Sequence, residues 1–341
     1  MPPQIRDHSP VGHAAYLDLR RLHLDDAVSD LRGTPTRKTV KGRVFWYDRF
    51  RSGTSWVERY IGEDGPELRA RLEGIEALKA ARAARADEKR RLVRILRAEG
   101  YASLDSKTGS ILNAFARAGV FRLGGTLVGT VAFRLYEAEL GVALGFDEMA
   151  MTNDIDIGSF ERLSFAIGDA VEEDLNAVLA EFSFDPVPGL DLASVWQWRD
   201  AGRETLVEFL MPAQRDETVR PLPALGISAR ALRHLDFLLA DPIKAVALYR
   251  TGVLVQIPRP EAFAIHKLIV ADRRRGGPEA LKSQKDRAQA AFLVEVLARD
   301  RPEELADAYQ SALARGPKWQ ARIAASLARL PDTAARLAEV V

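Results

Sequence analysis

Apolar residues recur at helical spacing from Ala14 through about Leu31 and predict one helix near the start of the chain. The pattern then switches. Residues 38–62, KTVKGRVFWYDRFRSGTSWVERYIG, are rich in β-branched and aromatic residues, with a turn signal at Ser52-Gly53-Thr54, and predict a hairpin or a three-stranded sheet. Pro66 opens a helical pattern over 67–99, one long basic helix or a broken pair. A further helix runs through ILNAFARAG and stops at Gly119. VFRLGGTLVGT reads as a strand pair broken at Gly124-Gly125, and VAFRLYEAELG as a helix with Val131, Leu135 and Leu140 in the core. MTNDIDIGSF predicts a short strand, about 169–182 a helix, and SVWQWRD with ETLVEFLMP a hairpin turned at Ala201-Gly202. LDFLLA, KAVALYR and VLVQIP read as short strands, with a turn at Thr251-Gly252. From Pro260 the chain reads as helix to Val341, punctuated by Pro278 and Pro302. The expected class is α+β, with a mixed sheet of about four to six strands over 110–258. Three domains are expected: 1–100 with a helix, a basic hairpin and a long helix, 101–258 with the sheet, and 259–341 as a helical bundle.

Composition removes several classes of function. The chain has no cysteine, so disulfides, thiolate metal sites and a catalytic thiol are excluded. MPPQIRDHSP lacks the apolar core of a signal peptide, and no apolar run reaches the roughly 20 residues that span a bilayer; a cytoplasmic location is the expectation. No Gly-Lys dipeptide, H-E-x-x-H or G-x-S-x-G occurs, so Walker A, zincin and serine-hydrolase motifs are missing. Net charge is +1 but uneven: 31–60 hold eight Lys/Arg against two Asp/Glu, and 151–218 hold four Arg against fifteen Asp/Glu. Opposite charge on two segments suggests separate tasks, although two solvated faces would read the same way.

The candidate chemistry lies in the acidic segment. Asp154 and Asp156 are separated by Ile155, so a strand places both carboxylates on one face and Ile155 and Ile157 on the other. Such neighbours repel unless a cation sits between them. Glu208 lies in TLVEFL, a lone carboxylate in an apolar strand, costly to bury without a partner. A metal shared with Asp154 and Asp156 would supply that partner, and three carboxylates around two Mg²⁺ ions suit in-line displacement at phosphorus. The turn LVGT, 127–130, runs straight into a helix, where glycine and free N–H groups suit a phosphate and Thr130 suits a cap or a phosphate oxygen.

This order of turn, helix, D-x-D strand and later strand carboxylate resembles the DNA polymerase β-like nucleotidyltransferase superfamily. Within it, LVGTVAF, TNDIDI, LVEFL, IHKLIV and KSQKDRAQA are similar to a bacterial branch that includes abortive-infection-type toxins. The resemblance spans about 110–300 and implies transfer of a nucleoside monophosphate from an NTP to a hydroxyl. It implies Asp154, Asp156 and Glu208 as catalytic and metal residues for two Mg²⁺ or Mn²⁺ ions. Gly129, Thr130, Thr152, Lys267 and Lys285 are the implied nucleotide contacts, with Lys285-Asp286 matching a Lys-Asp pair of that branch. The sequence departs from the family pattern at Thr130, which replaces a Gly or Ser, in the long ELGVALGFDEM insertion, and at Glu208, where Asp is commoner. Gly124-Gly125-Thr126 competes with Gly129-Thr130 for the phosphate loop. A catalytically silent nucleotide- or RNA-binding module is the alternative of another class; a toxin or antiphage role would be the same chemistry put to a particular use.

Other residues read more plainly. His234 and His266 have no second ligand at zinc spacing and read as packing or surface residues. Trp196 and Trp198 alternate on a strand and read as structural. Phe45, Trp46, Tyr47, Trp56 and Tyr60 interleave with basic residues including Arg43, Arg49 and Arg51, a mixture that suits RNA or tRNA stacking and equally suits a small sheet with an aromatic core.

Overall fold

A computed structural model of the chain describes residues 5–52, 55–144, 154–160, 168–187, 194–202, 205–213, 215–276 and 279–341. It opens on a short strand β1 (Arg6–Asp7) and helix α1 (Pro10–Ser29), whose Ser9 side chain accepts from Gly12 N as an N-cap. Three antiparallel strands follow, β2 (Thr34–Val40), β3 (Arg43–Ser52) and β4 (Ser55–Glu63). The basic helical stretch is three helices: α2 (Pro66–Glu73), α3 (Ile75–Ala80) and α4 (Arg82–Ala98). Gly74 ends the first and starts the second, which breaks the long helix the periodicity allows.

Helix α5 (Ser106–Ala118) is capped by Asp105 at its start and by left-handed Gly119 at its end. The expected strand pair over 120–130 is not formed. Val120 N bonds Phe115 O, Leu123 N bonds Gly119 O and Gly125 N bonds Val120 O, so 120–125 coil as turns. The only strand here is β5 (Thr126–Val128), and helix α6 (Gly129–Leu140) follows at once. Next come β6 (Val142–Ala143), β7 (Ile155–Gly158) and helix α7 (Leu175–Glu181). The helix expected from about 169 starts late because Asp174 caps it, while Val171 N and Glu172 N bond Ala224 O and Ala118 O instead. Strands β8 (Phe184–Pro186), β9 (Gln197–Asp200), β10 (Leu206–Pro212), β11 (Val219–Leu222) and β12 (Ile227–Leu232) complete the sheet. LDFLLA is a helical turn, α8 (Leu235–Leu238), not a strand; a short run with Leu235, Phe237 and Leu238 all buried carries no period that separates the two. The hairpin β13 (Ile243–Ala247) and β14 (Val253–Ile257) precedes helices α9 (Pro260–Arg273), α10 (Ala280–Asp300), α11 (Pro302–Leu313), α12 (Pro317–Leu327) and α13 (Pro331–Val340). Four of these five begin with proline, whose fixed φ and missing N–H suit the first helical turn.

Among the described residues the main sheet has the path β11-β12-β10-β7-β5, with β9 also on β10 and β8 on β9. Strand β10 is central. It runs parallel to β7 along one edge; its other edge pairs antiparallel with β9 through Leu206–Glu208 and parallel with β12 through Leu210–Pro212. The fold is mixed α+β, as the hydrophobic pattern predicts. Leu127, Ile157 and Phe209 align across three strands on the apolar face, where Phe115 and Trp198 pack on Phe209 at 5.9 and 5.5 Å between ring centroids. Burying each of these large rings stabilises the sheet by about 2–3 kcal/mol.

The first hundred residues are bonded into this core. β1 pairs with β6. Tyr16 and Leu19 of α1 pack with Leu92, Leu96, Ala138 and Val246. Tyr16 Oη donates to Glu139 at 3.2 Å and accepts from Val246 N at 3.2 Å.

Candidate active site

Strand pairing assembles the acids. Asp156 on β7 is in register with Glu208 on β10 and, on its other side, with Val128 on β5. Registered residues share a face, so Val128, Asp156 and Glu208 form one row directly behind the apolar row. Asp154 precedes β7, and its Oδ1 accepts from Leu206 N at 3.2 Å, which ties it to the start of β10. Ile155 and Ile157 point into the core, as alternation requires.

The row is electrostatically loaded. Burial pushes the Asp156 carboxyl well up from the usual carboxylate range; the charges of Glu208 and Asp154 and a hydrogen bond to Glu208 push it further, while Lys267 pulls the other way. Burial and the Asp154 charge raise Glu208 too, against the hydrogen bond from Asp156 and the charges of Lys282 and Arg230. The pair therefore resists carrying two negative charges, a repulsion that a cation would relieve.

Gly129 adjoins this pair. It is the first residue of α6 with φ +68°, a left-handed conformation that favours glycine, and a Cβ there would run into Asp156 Oδ2. Thr130 is the next residue and is buried. Gly124 and Gly125 lie beyond the opposite end of β5, where Thr126 is in register with Gly158 rather than with an acid. The glycine beside the carboxylates is thus Gly129.

The C-terminal helices bring cations whose charge reaches the acids. Lys267 on α9 is buried, and its Nζ donates to Asp286 Oδ1 at 2.5 Å; Arg274 donates to Asp286 Oδ2 at 2.9 Å. Burial would raise Asp286, but Lys267 and Arg274 hold it below the usual carboxylate range. Lys267 is thus locked to Asp286 while its charge reaches Asp156. Lys285 on α10 is pushed down to about 8 by burial and the Lys267 charge, against Asp286 and Asp154, which raise it. Thr152 lies outside the described residues.

The donor chemistry fits a hard divalent cation: oxygen ligands only, close enough to repel one another. Among the described residues no three acidic or imidazole groups are already set around one ion position.

Other expected residues fall elsewhere. His266 is buried and pushed down to about 3 by burial and then by the Lys267 charge. The ring of His234 meets Trp319 edge-on at 4.7 Å. Neither forms part of a metal group among the described residues. No role is assigned from the sequence to two further residues near the acids: Lys282 on α10, the first residue of KSQKDRAQA, and Arg230 on β12, which no motif marks; the charge of both reaches Glu208. Arg230 is in register with Leu210, two residues after Glu208.

A family described as nucleotidyltransferase matches residues 106–314, more than half of the chain. A crystal structure of an antigenic nucleotidyltransferase-like protein from Paracoccidioides brasiliensis is similar at 14% identity and a TM-score of 0.31, covering 65% of this chain and 94% of that one. No curated protein matches the chain. No helix among the described residues is long and apolar enough to cross a membrane.

Proposed function

The chain belongs to the nucleotidyltransferase family, and on that premise we propose that it transfers a nucleoside monophosphate from an NTP to a hydroxyl acceptor, releasing pyrophosphate. The observation that carries this reading is the registered pair Asp156 and Glu208 with Gly129 against Asp156, and with the charges of Lys267 and Lys285 reaching Asp156 and Asp154. Asp154, Asp156 and Glu208 would hold two Mg²⁺ or Mn²⁺ ions. When bound, such ions neutralise the phosphate oxygens and make the acceptor hydroxyl more acidic. Gly129 and Thr130 offer backbone N–H groups at the start of α6 to the triphosphate. Lys285, set near Asp154, adds positive charge on that side, and Lys267 does so while braced by Asp286. The acceptor oxygen bonds to the α-phosphorus, the bond from that phosphorus to its bridging oxygen breaks, and pyrophosphate leaves with the electron pair. The hydroxyl proton departs through the Glu208 side to water.

In this reading 101–258 carry the chemistry, 259–341 supply the cationic wall and 1–100 carry the basic sheet. A toxin or antiphage role would direct the same chemistry at a host acceptor. The decisive experiment supplies each labelled NTP with Mg²⁺ or Mn²⁺ and total cell extract, and follows label transfer and pyrophosphate. Metal-dependent transfer lost in Asp156→Asn is the expected result. NTP binding without any pyrophosphate release in every fraction would overturn transfer and leave a nucleotide-binding module.

A further inference from the structure

At the end of α9 stand three successive arginines, and they part company. Arg274 turns to Asp286, which also braces Lys267. Arg273 and Arg275 instead line a cavity of about 350 Å³, together with Asp272, Gly276 and Arg322. Cations are attracted to the negative end of a helix, but Arg322 comes from α12, so that attraction alone does not account for the cluster. Asp272 braces two of the three: its Oδ2 accepts from Arg322 Nη1 at 3.0 Å, and its Oδ1 pairs with Arg275 Nη1 at 3.2 Å. Arg273 is steadied by residues that do not line the cavity, donating to Glu217 at 2.9 Å and to the Arg233 carbonyl at 3.4 Å. The lining therefore carries three guanidinium groups against one carboxylate. That excess reaches His234, which is pushed down to about 4 by burial and then by the charges of Arg273 and Arg322, against Asp236 and Glu217. The side chains of Arg273, Arg275 and Arg322 are 30, 56 and 37% exposed, so an anion can reach all three.

We infer that this cavity is a second anion site, apart from the Asp156 and Glu208 pair, and that its ligand is a short chain of phosphates with no nucleoside requirement. The walls set that class. Planar guanidinium groups bind phosphate oxygens through paired N–H donors. Arg275 and Arg322 each give Asp272 one nitrogen, and a guanidinium carries five N–H donors, so both keep donors for a ligand. Because Asp272 holds them in place beforehand, less ordering cost falls on binding. A single phosphate offers too little charge and too few oxygens to engage three guanidinium groups from two helices, whereas a chain of two or three phosphates spans them. A base or an acyl chain would need an aromatic or aliphatic wall, and none of the five lining residues supplies one. Asp272 lies five residues beyond Lys267, about 7.5 Å along α9 and about 140° around it, so the cavity is not the wall that acts on the acids. Such a site exists whether or not the acids transfer a nucleotide.

The test is calorimetry on the full chain in EDTA, with inorganic tripolyphosphate as the probe. Without a divalent cation the acids repel a polyanion, so binding reads the arginines. The wild-type chain should bind, and Arg275→Ala and Arg322→Ala should each weaken binding about tenfold. Arg275 is the variant least able to disturb the fold, since most of its side chain is exposed. Arg322→Lys should recover only part of the loss, because an ammonium lacks the paired donors. Asp156→Asn should bind as the wild type does, and so should Arg90→Ala, which removes the same charge from an exposed position on α4. Orthophosphate should bind more weakly than tripolyphosphate, and ATP no more tightly. No binding by the wild-type chain, binding kept in both arginine-to-alanine variants, an equal loss in Arg90→Ala, or a loss in Asp156→Asn would each overturn the site. Orthophosphate bound as tightly as tripolyphosphate, or ATP bound more tightly, would overturn the class of ligand.

Discussion

The two larger sheets of this molecule use charge in opposite ways. In the main sheet, Asp156 and Glu208 stand in register, no cation is bonded to either among the described residues, and burial and mutual repulsion raise the Asp156 carboxyl. In the β2-β3-β4 sheet the acids Glu58 and Glu63 are matched by cations, Lys38 and Arg43, and Arg59 pairs with Glu172. Its aromatics are spent too. Phe45, Tyr47 and Tyr60 are buried in the main core, and Trp46 packs toward Val28, Leu31 and Leu72. Trp56 alone of the five is exposed, with Arg49 over it at 4.7 Å. The sheet is docked by Arg122, which pairs with Asp169 and donates to Tyr60 O at 2.9 Å, while Tyr60 N donates to Asp169 at 2.7 Å. The lesson is that a run of charge in a sequence marks chemistry only where its counter-charges are missing. Of the mixture that suits RNA stacking, Trp56 with Arg49 over it is what remains exposed in this sheet.

The contrast can be broken at its strongest point first. Asp156→Asn with Glu208→Gln should lower pyrophosphate release by about 10³-fold, since the charge-stabilising centre is worth several kcal/mol. Residual activity near wild type would mean the acids are merely structural. Gly129→Ala should cost about 10²-fold in the same assay, because a left-handed alanine adds about 1–2 kcal/mol of strain and its Cβ displaces Asp156. The third test moves to the other sheet. Arg122→Ala leaves Asp169 without its cation and should destabilise the fold by about 2 kcal/mol, seen as a lower denaturant midpoint with faster proteolysis inside 34–63. A stability equal to wild type would show that the sheet is not held by this clamp.

A smaller effect has the opposite sign. A carboxyl whose folded pKa is raised contributes stability at low pH that is lost as pH rises through that value. In metal-free protein, Asp156→Asn should therefore gain about 1 kcal/mol above neutral pH and nothing near pH 3. A variant less stable than wild type at pH 8 without metal would refute the stored repulsion. The smallest effect is at Trp56→Ala, expected to change stability by under about 0.5 kcal/mol because the ring is exposed. If RNA binding nonetheless falls, the basic sheet does present the acceptor.

Local chemistry made much of this legible in advance. Alternation in DIDI and VEFL set Asp156 and Glu208 opposite the buried Ile and Val–Phe rows, Gly119 and the prolines marked helix ends, and the aromatic run with its turn signal marked the three-stranded sheet. These are properties of a few adjacent residues, and the backbone obeys them wherever the segment sits. Other features are non-local. The pairing of β7 with β10, which sets Glu208 beside Asp156, joins strands far apart in the chain. The choice of Gly129 over Gly124 depends on which end of β5 meets the acids. LDFLLA became a helical turn because burial, which has no period of its own, is decided by what packs around it. The lock of Lys267 to Asp286, and the reach of Arg230 and Lys282 to Glu208, are pairings that no motif states, since a side chain's electrostatic partners are chosen by the fold that brings them within a few ångströms.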